Sequence, residues 1–398
     1  MNNKYLLPAD ILLPKSNFEN WSVIACDQYT SEPEYWLETK KNAADFPSAY
    51  NIILPEVYLT DDDSAKIEKI NSTMRDYLDG DVFCEHKNTL VYIERTLKDG
   101  KVRKGILGLI DLEDYSYLKG ADTLIRATEQ TVLERIPPRV NIRQGASIEL
   151  PHIMLLIDDA EKTVIEPMAE QTKDFEKLYD FDLMQNAGHI TGFSLSEQAI
   201  EKVQLSLNSL KEKSEDGLLF AVGDGNHSLA SAKECYNQGK GPRYALVEVV
   251  NIHDASLEFE PIYRVVFGVE PESLINSFVS ANGGEYSGDD AQQFTCVYGE
   301  SEREISVKPT GKLCVATLQA FLDEYIKQNS NAKIDYIHGI NSTRELSKKE
   351  NTLGFIFNGM EKSELFEAVS ADGSLPRKTF SMGCADDKRF YLEARKIK

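Results

Sequence analysis

The stretch from Leu218 to Gly239 restricts this chain more than any other, because its three parts obey different residue grammars. Leu218 to Val222 is an unbroken apolar run between Gly217 and Gly223, the pattern of a short strand buried on both faces. Asp224-Gly-Asn-His-Ser follows, and Ala, Lys, Glu and Leu beyond Asn226 favour helix. The spacing predicts an interior strand over 218–222, a tight turn, and a helix starting within two residues of His227. Gly223 and Gly225 allow positive φ and close approach to a ligand, while a helix start turns unpaired N–H groups and partial positive charge toward the turn. A carboxylate, an amide, an imidazole and a hydroxyl gather at that spot. The same residues also serve as ordinary turn and N-cap residues, so the remainder of the chain has to decide between the two readings.

The 398 residues suffice for two domains or one large core. The expected division is 1–256 as a catalytic, nucleotide-binding region and 257–398 as a C-terminal α/β region packed against it. A formal net charge of −21 argues against nucleic acid as a partner, since phosphate backbones require clustered Lys and Arg. The start lacks the apolar core of a signal peptide and no run reaches the ~18 apolar residues of a membrane span, so a cytoplasmic protein without a membrane partner is expected. Six cysteines without a C-x-x-C read as reduced packing residues.

Cys26, Asp27 and Gln28 end a short apolar run, where α/β proteins tend to place ligands, and Ser31 with Glu34 has capping-box spacing for a helix. Ile67, Ile70, Met74 and Leu78 predict an amphipathic helix ended by Gly80. Thr89–Thr96 and Val102–Leu112 flank Asp99-Gly100, a hairpin signal. A second capping box, Ser194 with Glu197, opens a helix striped by Ile200, Val203, Leu207 and Leu210. Further strands are predicted over 244–252 and near Ile262, Phe294, Ile305, Ile334 and Phe355, with helices over 272–281 and around Phe321 and Leu365. A last alternating strand runs from Arg389 to Arg395. Strands and helices alternate with short connections, so the fold class is α/β to α+β, a mixed sheet with helices.

Arg126, Arg135, Arg139 and Arg143 fall within eighteen residues of an acidic chain. Arg suits bidentate binding of phosphate or carboxylate, but Glu129, Glu134 and Glu149 are equally available as ion-pair partners.

Four pieces, Ala25-Cys-Asp-Gln-Tyr, Asp224-Gly-Asn-His-Ser, Glu260-Pro-Ile-Tyr-Arg-Val-Val and Leu375-Pro-Arg-Lys-Thr-Phe, span nearly the whole chain. In this order they resemble the bacterial and archaeal family named domain of unknown function 1015. In that family the central motif usually reads Asp-Gly-His-His-Arg; here Asn226 replaces the first His and Ser228 the Arg. The motif also resembles one in the ParB/sulfiredoxin superfamily, which binds nucleotide phosphates at a turn before a helix and includes free-serine kinases. This second resemblance implies a ParB/sulfiredoxin-like nucleotide-binding core and a nucleotide-dependent phosphotransferase acting on a small hydroxyl metabolite such as a free amino acid.

On that reading Gly223, Gly225, Asn226 and Ser228 cradle the phosphates of ATP, ADP or another donor. With Arg missing from the turn, Arg126, Arg135, Arg139, Arg143 or Arg264 has to supply the charge. Asp224 would hold Mg²⁺ or orient the acceptor, Glu129 or His227 would be the general base, and Asp27, Gln28 and His152 would face the substrate. If these segments share a task, Asp27, Arg139 and His227 line one cavity. The expected partners are a small-molecule substrate and a nucleotide, with a homodimer left open. Two alternatives stand beside this reading. One is a metal-dependent hydrolase using His152, His227, Asp158, Asp159 or Asp224, for which no ligand spacing such as H-E-x-x-H occurs. The other is a non-catalytic nucleotide-sensing module, which would release nucleotide unchanged.

Overall fold

In the structure, a computed structural model describing residues 4–131 and 136–398, the apolar run near 218 becomes the interior strand Phe220–Asp224, and the helix Asn226–Asn237 follows after a single residue. The strand lies two residues later than the apolar run alone implies, with Leu218 and Leu219 buried ahead of it. It runs parallel to Ile125–Ala127 on one side and antiparallel to Met154–Ile157 on the other.

These belong to a nine-stranded mixed sheet in the order Glu176–Asp182, His189–Ser194, Val91–Thr96, Val102–Asp111, Tyr244–Asn251, Met154–Ile157, Phe220–Asp224, Ile125–Ala127, Tyr115–Ser116. Successive strand residues feed opposite cores: Val91, Ile93 and Leu246 on one face, Tyr92, Ala245 and Val247 on the other. Cover on both faces explains why the central strands read as continuous apolar runs instead of alternating ones. The predicted hairpin forms between Val91–Thr96 and Val102–Asp111, with Gly100 at φ +84.

The chain forms two compact units, one of Met1–Ala127, Thr131–Leu257 and Gly383–Lys398, the other of Thr128–Gln130 and Glu258–Met382. The second has an antiparallel sheet ordered Ser301–Val307, Gln292–Tyr298, Thr352–Phe357, Phe259–Phe267, Lys333–His338, with Phe380–Met382 also pairing to Phe259–Phe267. Phe278 of the helix Pro271–Ala281 packs against Phe294, Phe355 and Phe321 to fill its core.

The helix Ser64–Asp79 buries Ile70 and Met74 and ends at Gly80, as its period predicts. Three local expectations need correction. The helix Pro33–Asn42 starts at its proline, with no side-chain cap from Ser31, because proline presets φ and its missing N–H is an orphan there anyway. The cap of Glu197–Lys213 is Ser196, whose hydroxyl accepts from the Ala199 N–H, since Ser194 is still in a strand. The alternating segment 389–395 is not one strand: Phe390–Tyr391 and Arg395–Lys396 are separate short strands, Ala394 makes an isolated bridge to Leu12, and the charged residues between the apolar ones are buried too.

Candidate functional site

Gly225 fixes the geometry after the central strand. Its φ of +79 belongs to the left-handed region, and a Cβ there would lie 3.0 Å from the Ile153 Cα. The turn can therefore press against the Ile153 backbone and the His152 ring, and within the first helical turn Ser228 arrives beside His152. Of the two motif glycines, Gly225 alone has positive φ; Gly223 is an ordinary strand residue. The N-cap residue is Gly225, which has no side chain with which to cap the helix. Gly225→Ala is expected to cost about 1–3 kcal/mol of unfolding free energy by urea denaturation, from backbone strain alone. An unchanged midpoint would mean that the turn relaxes freely.

The helix Ile136–Gly145, which carries Arg139 and Arg143, packs on the motif helix through Ile136 and Val140 against Ala230 and Cys235. Small residues at that contact let the backbones approach, and this brings the arginine-rich segment to the motif. A third segment arrives from the N-terminus: Val23–Ile24 pairs with Phe390–Tyr391, and the Ala25 N–H donates to the Arg389 carbonyl. These pieces enclose a cavity of about 160 Å³ whose wall includes Cys26, Arg139, His152, Ser228 and Tyr391, with Met74, Ile142, Leu150 and Leu246 supplying apolar surface.

A continuous hydrogen-bond chain crosses that wall. Ser228 Oγ is 2.8 Å from His152 Nε2, the Tyr391 hydroxyl is 2.6 Å from His152 Nδ1, and the same hydroxyl donates to Cys26 Sγ at 3.2 Å. With the phenol proton directed at sulfur, its oxygen accepts from Nδ1–H. Nε2 is then the acceptor for the Ser228 hydroxyl. Burial, with the Asp27 charge adding, pushes the Cys26 thiol up to about 11. Burial also holds the Tyr391 phenol well above its ordinary value. Cys26 is thus expected to resist iodoacetamide at pH 8 while the exposed Cys84 is alkylated, a difference read by peptide mass. Exposed Cys84 and Cys384 and cavity-lining Cys26 correct the view of all six cysteines as packing residues.

The remaining candidates separate clearly. Arg139 lines the cavity and is ion-paired with Glu56; Arg143 lines it and pairs with Glu149, which also binds Arg395 at 2.5 Å. Arg126 is buried against Asp216 at 2.5 Å and the carbonyls of Thr123 and Asp216. Arg135 lies outside the described residues. Arg264 and Glu129 belong to the second unit, where Arg264 is fully buried and bonded to Gln319 and three carbonyls. Neither Asp27 nor His227 lines the cavity; their neighbours Cys26 and Ser228 do, so the three-residue convergence expected from sequence holds for Arg139 only.

Asp27 accepts from the Gln28 amide at 3.0 Å. Burial acts to raise its pKa, but the His152 field, the Gln28 hydrogen bond and Lys388 outweigh burial and hold the carboxyl below its ordinary value. Asp224 accepts from the Gly225 N–H and faces Lys388 Nζ at 3.4 Å. Lys388 and Tyr391 are not candidates from sequence, for Tyr391 sits in the C-terminal segment that reads as plain strand and Lys388 directly precedes it. His227, at the start of the motif helix, offers its carbonyl to the Ser231 hydroxyl. Asp158 pairs with His253 at 2.6 Å, and Asp159 accepts from the N–H groups of Thr163 and Val164. Among the described residues no group of three or more His, Cys, Asp or Glu side chains is arranged to hold a metal ion, and no helix is long and apolar enough to cross a membrane.

Residues 6–325 match the family described as "Protein of unknown function (DUF1015)". No curated protein sequence matches the chain. Among solved structures, a free serine kinase mutant in complex with AMP is similar at 15% identity and a TM-score of 0.43, covering 75% of this chain and 92% of that one. A conserved hypothetical protein from Pyrococcus furiosus is similar at 14% identity and a TM-score of 0.40, covering 76% and 97%. SbnI from Staphylococcus aureus, with a C-terminal truncation, follows at 14% identity and 0.37, covering 72% and 85%. Likenesses of this extent carry no argument about activity.

Proposed function

The chain belongs to the family described as protein of unknown function (DUF1015), and from that premise we propose that it is a nucleotide-dependent phosphotransferase acting on a small hydroxyl metabolite such as a free amino acid. The observation that carries this reading is the Ser228–His152 hydrogen bond in the wall of a 160 Å³ cavity at the N-terminal end of the motif helix. A cavity of that size suits a small metabolite, being below the ~300–1,000 Å³ typical of larger ligands.

In this reading the donor's phosphates rest on the N–H groups at the helix start, where the helix dipole favours negative charge. Phosphoryl transfer depends chiefly on positioning and on positive charge around the moving group. Lys388, beside Asp224, is one cation at hand, and Arg139 a second that the ligand would share with Glu56. Asp224 is the residue that would hold Mg²⁺, whose charge would offset that of the phosphates. The acceptor hydroxyl takes over the position of the Ser228 hydroxyl on His152 Nε2. As its oxygen bonds to phosphorus, the bridging P–O bond of the donor breaks, the donor leaves shortened by its terminal phosphoryl group, and the hydroxyl proton passes to Nε2.

The test is a thermal-unfolding panel with ATP, ADP, CTP and pyrophosphate, followed by a measurement of phosphoryl transfer from each ligand that binds to a set of hydroxy amino acids. A true ligand raises the midpoint progressively with concentration, by RT ln(1 + [L]/Kd) in stability. Absence of any shift would remove the donor and with it the reading; binding without turnover on any acceptor would favour a sensor. Lys388→Ala is expected to weaken nucleotide binding by about 1.5–3 kcal/mol, roughly ten- to a hundredfold in Kd. Calorimetric titration giving the parent's Kd would remove Lys388 from the site.

A further inference from the structure

We propose that the Arg377–Lys378 loop of the second unit is a binding site for a phosphate-bearing small molecule. The loop is the exposed part of Leu375-Pro-Arg-Lys-Thr-Phe, a motif to which the reading above gives no task. Its backbone is fixed from within. Arg264, 0% exposed, donates from Nη1 to the carbonyls of Ile262 (2.5 Å) and Lys378 (3.0 Å) and from Nη2 to that of Arg377 (3.1 Å), while its Nε donates to Gln319 Oε1 (2.8 Å). The Thr379 hydroxyl donates to the Pro376 carbonyl at 2.7 Å, and the Leu375 N–H to that of Thr128 at 2.7 Å.

Thus held, Lys378 has a φ of +54, a left-handed conformation that is strained for a non-glycine residue. Strain of this kind persists where surrounding bonds enforce it, and here it aims a side chain. With the carbonyls of Arg377 and Lys378 drawn in to Arg264, both side chains stand exposed beside the Tyr336 ring. The Arg377 guanidinium carbon and the Lys378 Nζ are each 5.3 Å from the ring centroid, and the Arg264 guanidinium carbon is 4.7 Å away. Arg377 Nε also donates to the Tyr336 hydroxyl at 2.8 Å.

Three cations meet at this ring, and although the charges of Glu129 and Asp323 act on Arg264, Arg377 and Lys378 repel one another unless a further anion joins them. The chain is rich in possible counter-ions, with 65 Asp and Glu, yet among the described residues neither Arg377 nor Lys378 forms an ion pair with a carboxylate. The adjacent Asp335 carboxylate accepts instead from the Tyr336 N–H. A planar guanidinium fork next to a flexible ammonium matches the oxygens of a phosphate group. The net charge of −21 repels an extended polyanion such as nucleic acid, so the ligand is compact. A nucleotide tail and a phosphorylated metabolite share this chemistry.

Acetylation footprinting of the full-length protein tests the site without requiring turnover. Pyrophosphate, ATP and phosphoserine are added in separate arms at matched ionic strength, and acetylation of Lys378 is read by peptide mass against the exposed Lys119. At about four times its dissociation constant a ligand slows Lys378 acetylation about fivefold and leaves Lys119 unchanged. Protection by ATP but not phosphoserine assigns the phosphate to a nucleotide, and the reverse assigns it to a metabolite. In Arg377→Gln, a surface change, protection is expected to require at least about tenfold more ligand. Lys378 modified at one rate in all arms, or protection undiminished in Arg377→Gln, would overturn the proposal whatever the fate of the nucleotide turn.

Discussion

Replacing Arg389 by methionine is expected to lower the stability of the protein by about 3–5 kcal/mol, the cost of leaving buried carboxylates without their cation. Arg389 is 2% exposed and bridges two equally buried carboxylates, reaching Glu248 through Nη1 and Glu393 through Nη2 at 2.5 Å. Burial alone would lower the pKa of the guanidinium, but the two carboxylates outweigh it and hold it above its usual value. The Tyr179 hydroxyl donates to Glu393 as well, and Arg389 Nε donates to the Pro151 carbonyl. Deleting the cation leaves two carboxylates facing each other in the core. Urea unfolding of Arg389→Met measures the loss, and of the triple variant with Glu248→Gln and Glu393→Gln its partial recovery. A loss under about 1 kcal/mol would mean that water reaches the cluster, as for an exposed ion pair. The same residue ties Pro151, next to His152, to Ala25, next to Cys26, so damage here also loosens the cavity wall.

His152→Ala is expected to reduce the proposed phosphotransfer by about 10²–10⁴-fold in kcat, the usual contribution of a positioned general base. The effect should fall on kcat more than on nucleotide affinity, because Nε2 bonds the position that the acceptor hydroxyl would take. Ser228→Ala serves as the counterpart: if the acceptor hydroxyl displaces that of Ser228, losing it leaves kcat within about tenfold. Tyr391→Phe removes the acceptor for Nδ1–H and with it the constraint on the tautomer, so an intermediate loss and a shifted pH profile are expected. Single-turnover rates at saturating nucleotide provide the comparison. Parent-like transfer in His152→Ala, with an unchanged unfolding midpoint, would end the assignment of His152 as base.

Much of the scaffold was legible because local chemistry and tertiary environment agree. The run at 218–222, the Gly80 helix stop and the Asp99-Gly100 hairpin are each specified by residues adjacent in sequence. The helix Ile340–Ser347 was not legible, since the residues it buries are Thr343 and Ser347, which carry no apolar period. Ser347 donates to the Thr343 carbonyl and lies where a Cβ on Gly354 would be only 2.3 Å away, so the helix is docked by a small-residue contact. The segment 389–395 misled in the opposite direction. Its alternation resembles a half-solvated strand, but Arg389, Glu393 and Arg395 find buried partners from distant segments, which no period can reveal.

By itself the sequence determined the site's frame: an apolar strand, a glycine able to take positive φ, and a helix whose first turn carries Asn226, His227 and Ser228. It determined this because backbone preference and burial pattern are properties of neighbouring residues. Which side chains face one another was decided by tertiary structure alone. Three contacts settled it: Ala230 and Cys235 admitting the helix of Arg139, Gly225 admitting the Ile153 backbone and the His152 ring, and Phe390–Tyr391 pairing with Val23–Ile24. Those contacts bring Cys26, His152, Ser228 and Tyr391 together across as many as 365 positions of sequence separation, where only packing and hydrogen-bond geometry select partners.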